Sequence, residues 1–186
     1  GAATFDESDV DDFDQMLDTN VKGLLYITKL IVPKMIAQQS GHIVNISSIA
    51  GIEVYPNGSV YCASKHAVNA ITKGLRIDLV KHGIKVSSIS PGMAETEFSI
   101  VRYHGDTEKA AAVYKGLVPL NAEDIADAVD AHLQRQLLHP GHQLVTPGFL
   151  GIAQSDAGAP AVHRVGTQFA QSADLLQQQR AIEVKG

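Results

Sequence analysis

Tyr61 and Lys65 lie four residues apart, which on a helix puts the phenol and the ammonium on one face, a turn from each other. A phenol near pKa 10 is a poor base at neutral pH. A neighbouring cation favours its phenolate and lowers that pKa. A serine hydroxyl aimed at the same spot, Ser48 or its neighbour Ser47, would hold a substrate oxygen for proton transfer. The chemistry that suits such a set is proton exchange with an alcohol or carbonyl, with a hydride acceptor opposite. Five tyrosines and ten lysines in 186 positions give about 0.3 Tyr-x-x-x-Lys pairs by chance, so the pair alone is weak. Its plain reading is an ordinary helix-surface pair, and its context decides.

The elements around it supply that context. His42-Ile43-Val44-Asn45-Ile46-Ser47 is a short, β-branched apolar run that reads as a buried parallel strand. A Gly/Pro loop follows (Gly51, Pro56, Gly58), then a helix from about Ser59 to Lys81, stopped by His82-Gly83. Ile84 to Ser90 is a second strand. Strand, helix and strand within about fifty residues form a crossover unit of a parallel sheet covered by helices. Ligands of such sheets bind at the carboxyl ends of the strands, here at Ser47-Ser48 and at Pro91-Gly92.

Upstream, an apolar period through Phe13, Leu17, Val21, Leu24, Leu25, Thr28 and Val32 predicts a helix over about Asp9–Gln39, ended by Ser40-Gly41. Ser8 with Asp11 resembles a capping box, and the acidic cluster Asp6, Glu7, Asp9, Asp11, Asp12 and Asp14 suits a solvated helix start. Downstream, helices are expected over Asp106–Lys115 and Ala122–Gln136, the latter opened by Asn121-Ala122-Glu123-Asp124. His139-Pro140-Gly141 and Pro147-Gly148 read as turns, and nothing beyond them has a strand pattern of its own. Residues 166–186 read as a Gln-rich tail with a frayed helix, and residues 1–165 as the folded part.

Composition removes other classes. The 186 residues are 45% hydrophobic and 19% charged, enough apolar material for one domain's core. Fifteen Lys+Arg against twenty Asp+Glu give no basic footprint for nucleic acid. Mean hydropathy is +0.01, and no apolar run reaches the ~18 residues of a membrane span. The single cysteine, Cys62, cannot form an internal disulfide and suits a reducing cytosol, so a cytoplasmic location is expected. Cys62 reads as a helix-packing residue rather than a nucleophile. His132, His139 and His142 lack the partners of a metal site, and no metal is expected.

Taken together, Asn45-Ile46-Ser47-Ser48-Ile49-Ala50-Gly51, Tyr61-Cys62-Ala63-Ser64-Lys65 and Ser90-Pro91-Gly92 resemble the short-chain dehydrogenase/reductase family. Tyr61 falls 13 residues after Ser48, the family's interval, which favours Ser48 over Ser47 as its catalytic serine. Asp18-Thr19-Asn20-Val21-Lys22-Gly23 is similar to the helix motif whose asparagine completes the family's proton relay. The resemblance implies a Rossmann-like, doubly wound α/β parallel sheet. It implies Tyr61 as general acid/base, Lys65 lowering its pKa and holding the nicotinamide ribose, Ser48 positioning substrate, and Asn20 in the relay. It also implies a homodimer or tetramer, with the helices of Asn20 and Tyr61 packing across an interface.

A narrower likeness runs through Pro91-Gly92-Met93-Ala94-Glu95-Thr96-Glu97-Phe98-Ser99, Val101-Arg102-Tyr103 and Glu108-Lys109-Ala110. This stretch resembles the NADP-dependent serine/3-hydroxy acid dehydrogenase subgroup, which oxidises serine, allo-threonine or related acids at the β-hydroxyl. It implies NADP as cofactor, with Pro91, Gly92, Met93 and Thr96 along it. Arg102 is the candidate for the substrate carboxylate, which a guanidinium binds bidentately; a surface pairing with Asp106 or Glu108 is the equal alternative. Within the family, a reductase of ketones or 3-oxoacyl groups is the runner-up reading. From another class comes a truncated, non-catalytic chain that only associates with partners.

Two departures stand out. The family's Gly-rich phosphate loop is absent from these residues, so the expected sheet is incomplete, without its N-terminal strands and loop. The catalytic set already lies within the first 65 residues, where a doubly wound sheet would spend about three ~30-residue βα units first. The expectation is the catalytic part of a longer enzyme, inactive in isolation. Over Ala131–Ile152 the resemblance implies a final apolar strand, yet the residues Gln143-Leu144-Val145-Thr146-Pro147-Gly148-Phe149 do not follow the subgroup. A shifted reading frame and genuine divergence both account for that stretch.

Overall fold

The computed structural model describes residues 1–138 and 149–152. The long N-terminal helix forms as expected but in two pieces. Helix α1 (Val10–Leu17) passes through a π-helical turn at Asp18–Gly23 into α2 (Leu24–Ala37). Its cap lies one residue later than the sequence suggests. Asp9 accepts from the Asp11 amide at 3.0 Å, whereas the Ser8 hydroxyl donates back to the Thr4 carbonyl at 2.8 Å. The other end also differs: α2 stops at Ala37 because Gln39 takes the left-handed conformation (φ 50°) that turns the chain. Gly41 instead opens β1 (Gly41–Ile46), where any Cβ would strike the Met35 side chain.

A 3-10 turn at Ile49–Gly51 leads by a loop to α3 (Ser59–Leu79), and β2 (Ile84–Pro91) follows. Strands β1 and β2 pair in parallel, with Gly41 opposite Ile84 and Ile46 opposite Ile89. Beyond β2 come two short helices: α4 (Phe98–Arg102), which was not expected, and α5 (Thr107–Ala112), a shorter form of the helix expected over Asp106–Lys115. Helix α6 (Ala122–Leu138) starts on the expected residues. Asn121 and Asp124 cap each other, side chain to amide, at 2.8 and 2.9 Å.

One expectation for the stretch after Leu137 needs correction. A strand does exist there: β3 (Phe149–Ile152) pairs in parallel with β2, Ser88 opposite Phe149. It falls within Ala131–Ile152, where the resemblance implies a final strand, beyond the end of α6. Phe149-Leu150-Gly151-Ile152 is apolar enough for a buried strand but too short for periodicity to reveal. His139, His142, Pro147-Gly148 and the proposed tail at 166–186 lie outside the described residues.

The sheet order is β1-β2-β3, and helices cover both faces. Alternation along β2 sends Ile84 and Val86 to one side, where they join Leu79, Leu75, Val32, Met35 and Ile36 of α2 and α3. Ile89 points to the other side, where Leu120 and Ala128 complete a second cluster with Val44, Ile125 and Val129. Fully burying a residue such as Ile89 contributes about 1.5–3 kcal/mol. Both strands therefore end between two packed layers, β2 two residues beyond the level at which β1 stops. Among the described residues no helix is long and apolar enough to cross a membrane.

Candidate active site

The carboxyl ends of β1 and β2 open into a cavity of about 440 Å³. Its walls bring together Ser48, Tyr61, Lys65, Pro91, Gly92, Met93, Thr96 and Arg102, eight of the nine residues singled out from the sequence. Ser47 follows the strand alternation: its amide donates to Ile89 O at 2.7 Å, and its hydroxyl turns toward the Lys65 carbonyl at 3.5 Å. Ser48, one residue on, faces the cavity and hydrogen-bonds Tyr61. Both serines line the cavity, and Ser48 is the one bonded to Tyr61.

What fixes Ser48 is the 3-10 turn behind it. The Ser48 hydroxyl accepts from the Ala50 amide at 3.1 Å, and the turn presses Gly51 against α3. A Cβ at Gly51 would sit 2.5 Å from Asn69 Nδ2 and 2.8 Å from the Lys65 carbonyl oxygen, so only glycine permits this approach. Asn69 then clasps the turn, donating to Gly51 O at 2.8 Å. One level deeper, Asn45 of β1 donates to Thr72 of α3 at 2.8 Å, both buried. The distance between strand and helix is set by polar bonds that water does not reach.

Lys65 donates to Ile46 O at 3.2 Å, and its Nζ stands 5.8 Å from the centre of the Tyr61 ring. Burial lowers the Lys65 pKa. Tyr61 departs from the sequence expectation. Burial, the largest cause, pushes its pKa above 10, and the Ser48 hydrogen bond and the Arg102 charge offset only part of that. The Lys65 ammonium stands over the ring, and burial favours the protonated phenol in this arrangement.

Asn20 is the ninth residue, and it does not line the cavity. It sits in the π-helical turn, where the helix widens, and donates to Ser64 Oγ at 3.0 Å. Ser64, fully buried, donates to the Tyr61 carbonyl at 2.7 Å. Asn20 is thereby coupled to the turn of α3 that carries Tyr61, through its backbone.

Other cavity residues were not singled out from the sequence, although Phe98 and Ser99 lie in the stretch that resembles the subgroup. Tyr55 precedes α3, its hydroxyl 3.5 Å from Arg102 Nη1. Phe98 tilts against Tyr61, ring centres 5.4 Å apart. Ser99 and Tyr114 join at 2.6 Å, and the Tyr114 hydroxyl bonds Ala94 O at 3.0 Å. These come from loops and one-turn helices with no periodicity to read. Arg102 contacts Tyr55 and Asn57 O (3.4 Å), while Asp106 pairs with Lys109 at 3.1 Å; the alternative pairing of Arg102 with Asp106 is not formed. His132 meets His42 and Ser87 on the α6 face of the sheet, and no cluster of three metal-ligating side chains occurs among the described residues.

Comparison with known proteins agrees with this geometry. Residues 1–106 match the model of the family described as short chain dehydrogenase. An NADP-dependent 3-hydroxy acid dehydrogenase from Schizosaccharomyces pombe is 41% identical over 142 residues, covering 72% of this chain and 55% of that protein. A sulfoacetaldehyde reductase from Chromohalobacter salexigens is 44% identical over 122 residues, 65% of this chain and 48% of its own. Among solved structures, the closed form of serine dehydrogenase complexed with NADP+ superposes with a TM-score of 0.72 at 36% identity. It covers 86% of this chain and 63% of that one. The chain spans about half the length of the curated relatives it matches. With the serine, tyrosine and lysine gathered at the ends of two parallel strands, this chain belongs to the short-chain dehydrogenase family.

Proposed function

We propose that the chain is the catalytic part of an oxidoreductase that transfers a hydride between NADP and a small 3-hydroxy acid such as serine or allo-threonine. One observation carries this reading: Arg102 lines the same cavity as Ser48, Tyr61 and Lys65. The relatives named for 3-hydroxy acids and for sulfoacetaldehyde have substrates that share one chemistry. In both, the reacting carbon stands one carbon away from the carbon or sulfur of an oxyanion head group. A guanidinium fork suits either head group.

The donors present fit the nicotinamide–ribose end of a dinucleotide. The Lys65 ammonium has three N–H groups, of which Ile46 O takes one, and it would hold the ribose hydroxyls beside Tyr61. Pro91, Gly92, Met93 and Thr96 would line the nicotinamide from the β2 exit. Bound there, NADP supplies the hydride acceptor. Ser48 and Tyr61 would share the substrate hydroxyl, Arg102 its carboxylate, and Tyr61 would receive the hydroxyl proton during oxidation and return it during reduction. Burial holds Tyr61 toward the phenol, and the charges of Lys65 and Arg102 beside its ring would favour the phenolate that accepts the hydroxyl proton during oxidation. Exposed Tyr26, Ile27 and Leu30 on α2 support association into a homo-oligomer.

The sequence has no Gly-rich run to cradle a pyrophosphate, so the test compares the chain alone with a chimera carrying the S. pombe relative's dinucleotide-binding half. The chimera is expected to reduce NADP with serine or 3-hydroxypropionate, and Tyr61→Phe to lower that rate at least about 10³-fold. The chain alone should be inactive. Turnover of neutral ketones or 3-oxoacyl thioesters, with none of the acids, would replace this reading by the other reductase. Inactivity of both forms with every substrate would favour a chain that only associates.

A further inference from the structure

Arg102 does something in this structure that recognition of an anion does not require. Its guanidinium carbon lies 5.7 Å from the centre of the Tyr55 ring and 5.9 Å from that of Tyr61, both within cation–π range. Asn57 O at 3.4 Å and the Tyr55 hydroxyl at 3.5 Å tether it from the loop before α3, although Arg102 itself belongs to α4. Tyr61 is therefore flanked by two cations at nearly the same distance, Lys65 at 5.8 Å from its own helix and Arg102 at 5.9 Å from across the cavity.

We propose that Arg102 is a positioning residue for Tyr61, a second cation whose charge favours the phenolate and so sets the proton affinity of the general acid/base. The other groups facing Tyr61 cannot take that part. Tyr55 and Cys62 carry no positive charge and disfavour the phenolate, and Ser48 is a hydrogen-bonding partner without charge. Asp12 of α1 shares a small crevice with Tyr61, but a carboxylate cannot supply a cation, and its Oδ2 lies 3.3 Å from His104 Nε2. A role in proton affinity also links the two ends of a substrate. A carboxylate that reaches Arg102 neutralises this second cation, returning Tyr61 toward the protonated form that a 3-oxo acid needs for reduction.

The proposal assumes that Tyr61 is the acid/base but is read without turnover, so its failure and that of the substrate assignment are separate events. The chain is labelled with [13Cζ]tyrosine, and the Tyr61 resonance is identified by its loss in Tyr61→Phe. Its ionisation is followed by NMR from pH 8 upward, with far-UV circular dichroism confirming the fold at each pH. Arg102→Gln should raise the midpoint by about 0.5–1 pH unit, and Arg102→Lys should recover most of that. Arg102→Glu gives a second, independent reading and should move the midpoint further up than Gln. A midpoint unchanged in the folded Gln or Glu variant, or equal in the two, would overturn the proposal.

Discussion

The cavity is built from two kinds of wall. The frame of β1, the 3-10 turn, α3 and β2 carries Ser48, Tyr61 and Lys65, and it is held by buried polar bonds between distant residues: Asn45 to Thr72, Asn69 to Gly51 and Asn20 to Ser64. The segment from Met93 to Leu120 carries Thr96 on the loop before α4 and Phe98 and Arg102 on α4 itself, and its two helices are only five and six residues long. It is pinned at its base where Leu120 exchanges backbone bonds with Met93 and Glu95, at 2.9 and 2.7 Å. Phe98, Val101 and Val118 remain exposed on it. On the proposed reading, proton transfer, which demands sub-ångström placement, would sit on the wall held by buried polar bonds, and the contacts that discriminate among substrates on the wall of short helices and loops.

The contrast predicts very different tolerance to change. Gly51→Ala strikes the hardest, because a backbone oxygen at 2.8 Å cannot swing aside as a side chain would. It should cost about 2–3 kcal/mol in urea unfolding. Gly105→Ala, in the other wall, meets nothing within 4 Å and strains only the backbone at φ +88°, so about 1 kcal/mol is expected. Equal losses at the two glycines would refute the division. Next comes Thr72→Val, which keeps the shape but strands the buried Asn45 amide. It should lose about 1–2 kcal/mol, and Asn45→Ala in the same background should add less than it does alone.

Legibility from sequence follows the same line. Strands β1 and β2 were readable from short β-branched apolar runs and helix α3 from the Gly/Pro loop and His82-Gly83 that bound it, and Ser48, Tyr61 and Lys65 stood out because their spacing is tied to those elements. The π-helical turn at Asn20 was invisible, since a one-residue widening leaves the apolar period of α1 and α2 almost intact. Tyr55, Ser99 and Tyr114 reach the cavity through loop geometry, which no local pattern encodes. Strand β3 is only four residues long, and α6 runs into the segment where it was sought. The phenol's direction of shift was misjudged for a different reason: spacing reveals the Lys65 charge but not the depth at which Tyr61 is buried.

A smaller effect tests the frame from its far side. His42 of β1 and His132 of α6 both bond Ser87 Oγ, at 2.8 and 2.7 Å, with ring centres 5.4 Å apart. One hydroxyl can donate to one imidazole and accept from the other only while at least one ring is neutral. Burial first, then His132 and Lys85, lower the His42 pKa from 6.5 to about 4. The unfolded chain therefore binds this proton more readily, and the stability it confers is present above pH 6.5 and lost as pH falls toward 4. Full linkage would be about 3 kcal/mol. Partial exposure reduces it to about 1 kcal/mol, to be read as the difference in urea midpoint between pH 7 and pH 4.5. His42→Gln should flatten the curve in that window; an unchanged slope would remove the pair from the account.

The smallest stability change is expected at Tyr114→Phe, and it divides the two walls most sharply. The hydroxyl lost there bonds Ser99 and Ala94 O, but the residue is only half-buried and water can replace it. The urea midpoint should move by no more than about 0.5 kcal/mol. Its consequence belongs to function. Ser99 lies in the first turn of α4 and Ala94 on the β2 exit, so freeing Tyr114 loosens the segment that presents Arg102 without touching Ser48, Tyr61 or Lys65. In the active chimera the KM for a 3-hydroxy acid should rise several-fold with little change in kcat, the signature of lost binding common to ground and transition states. A fall in kcat with KM preserved would mean that this segment shares the rigidity of the frame, and the contrast between the two walls would fail at the residue chosen to show it.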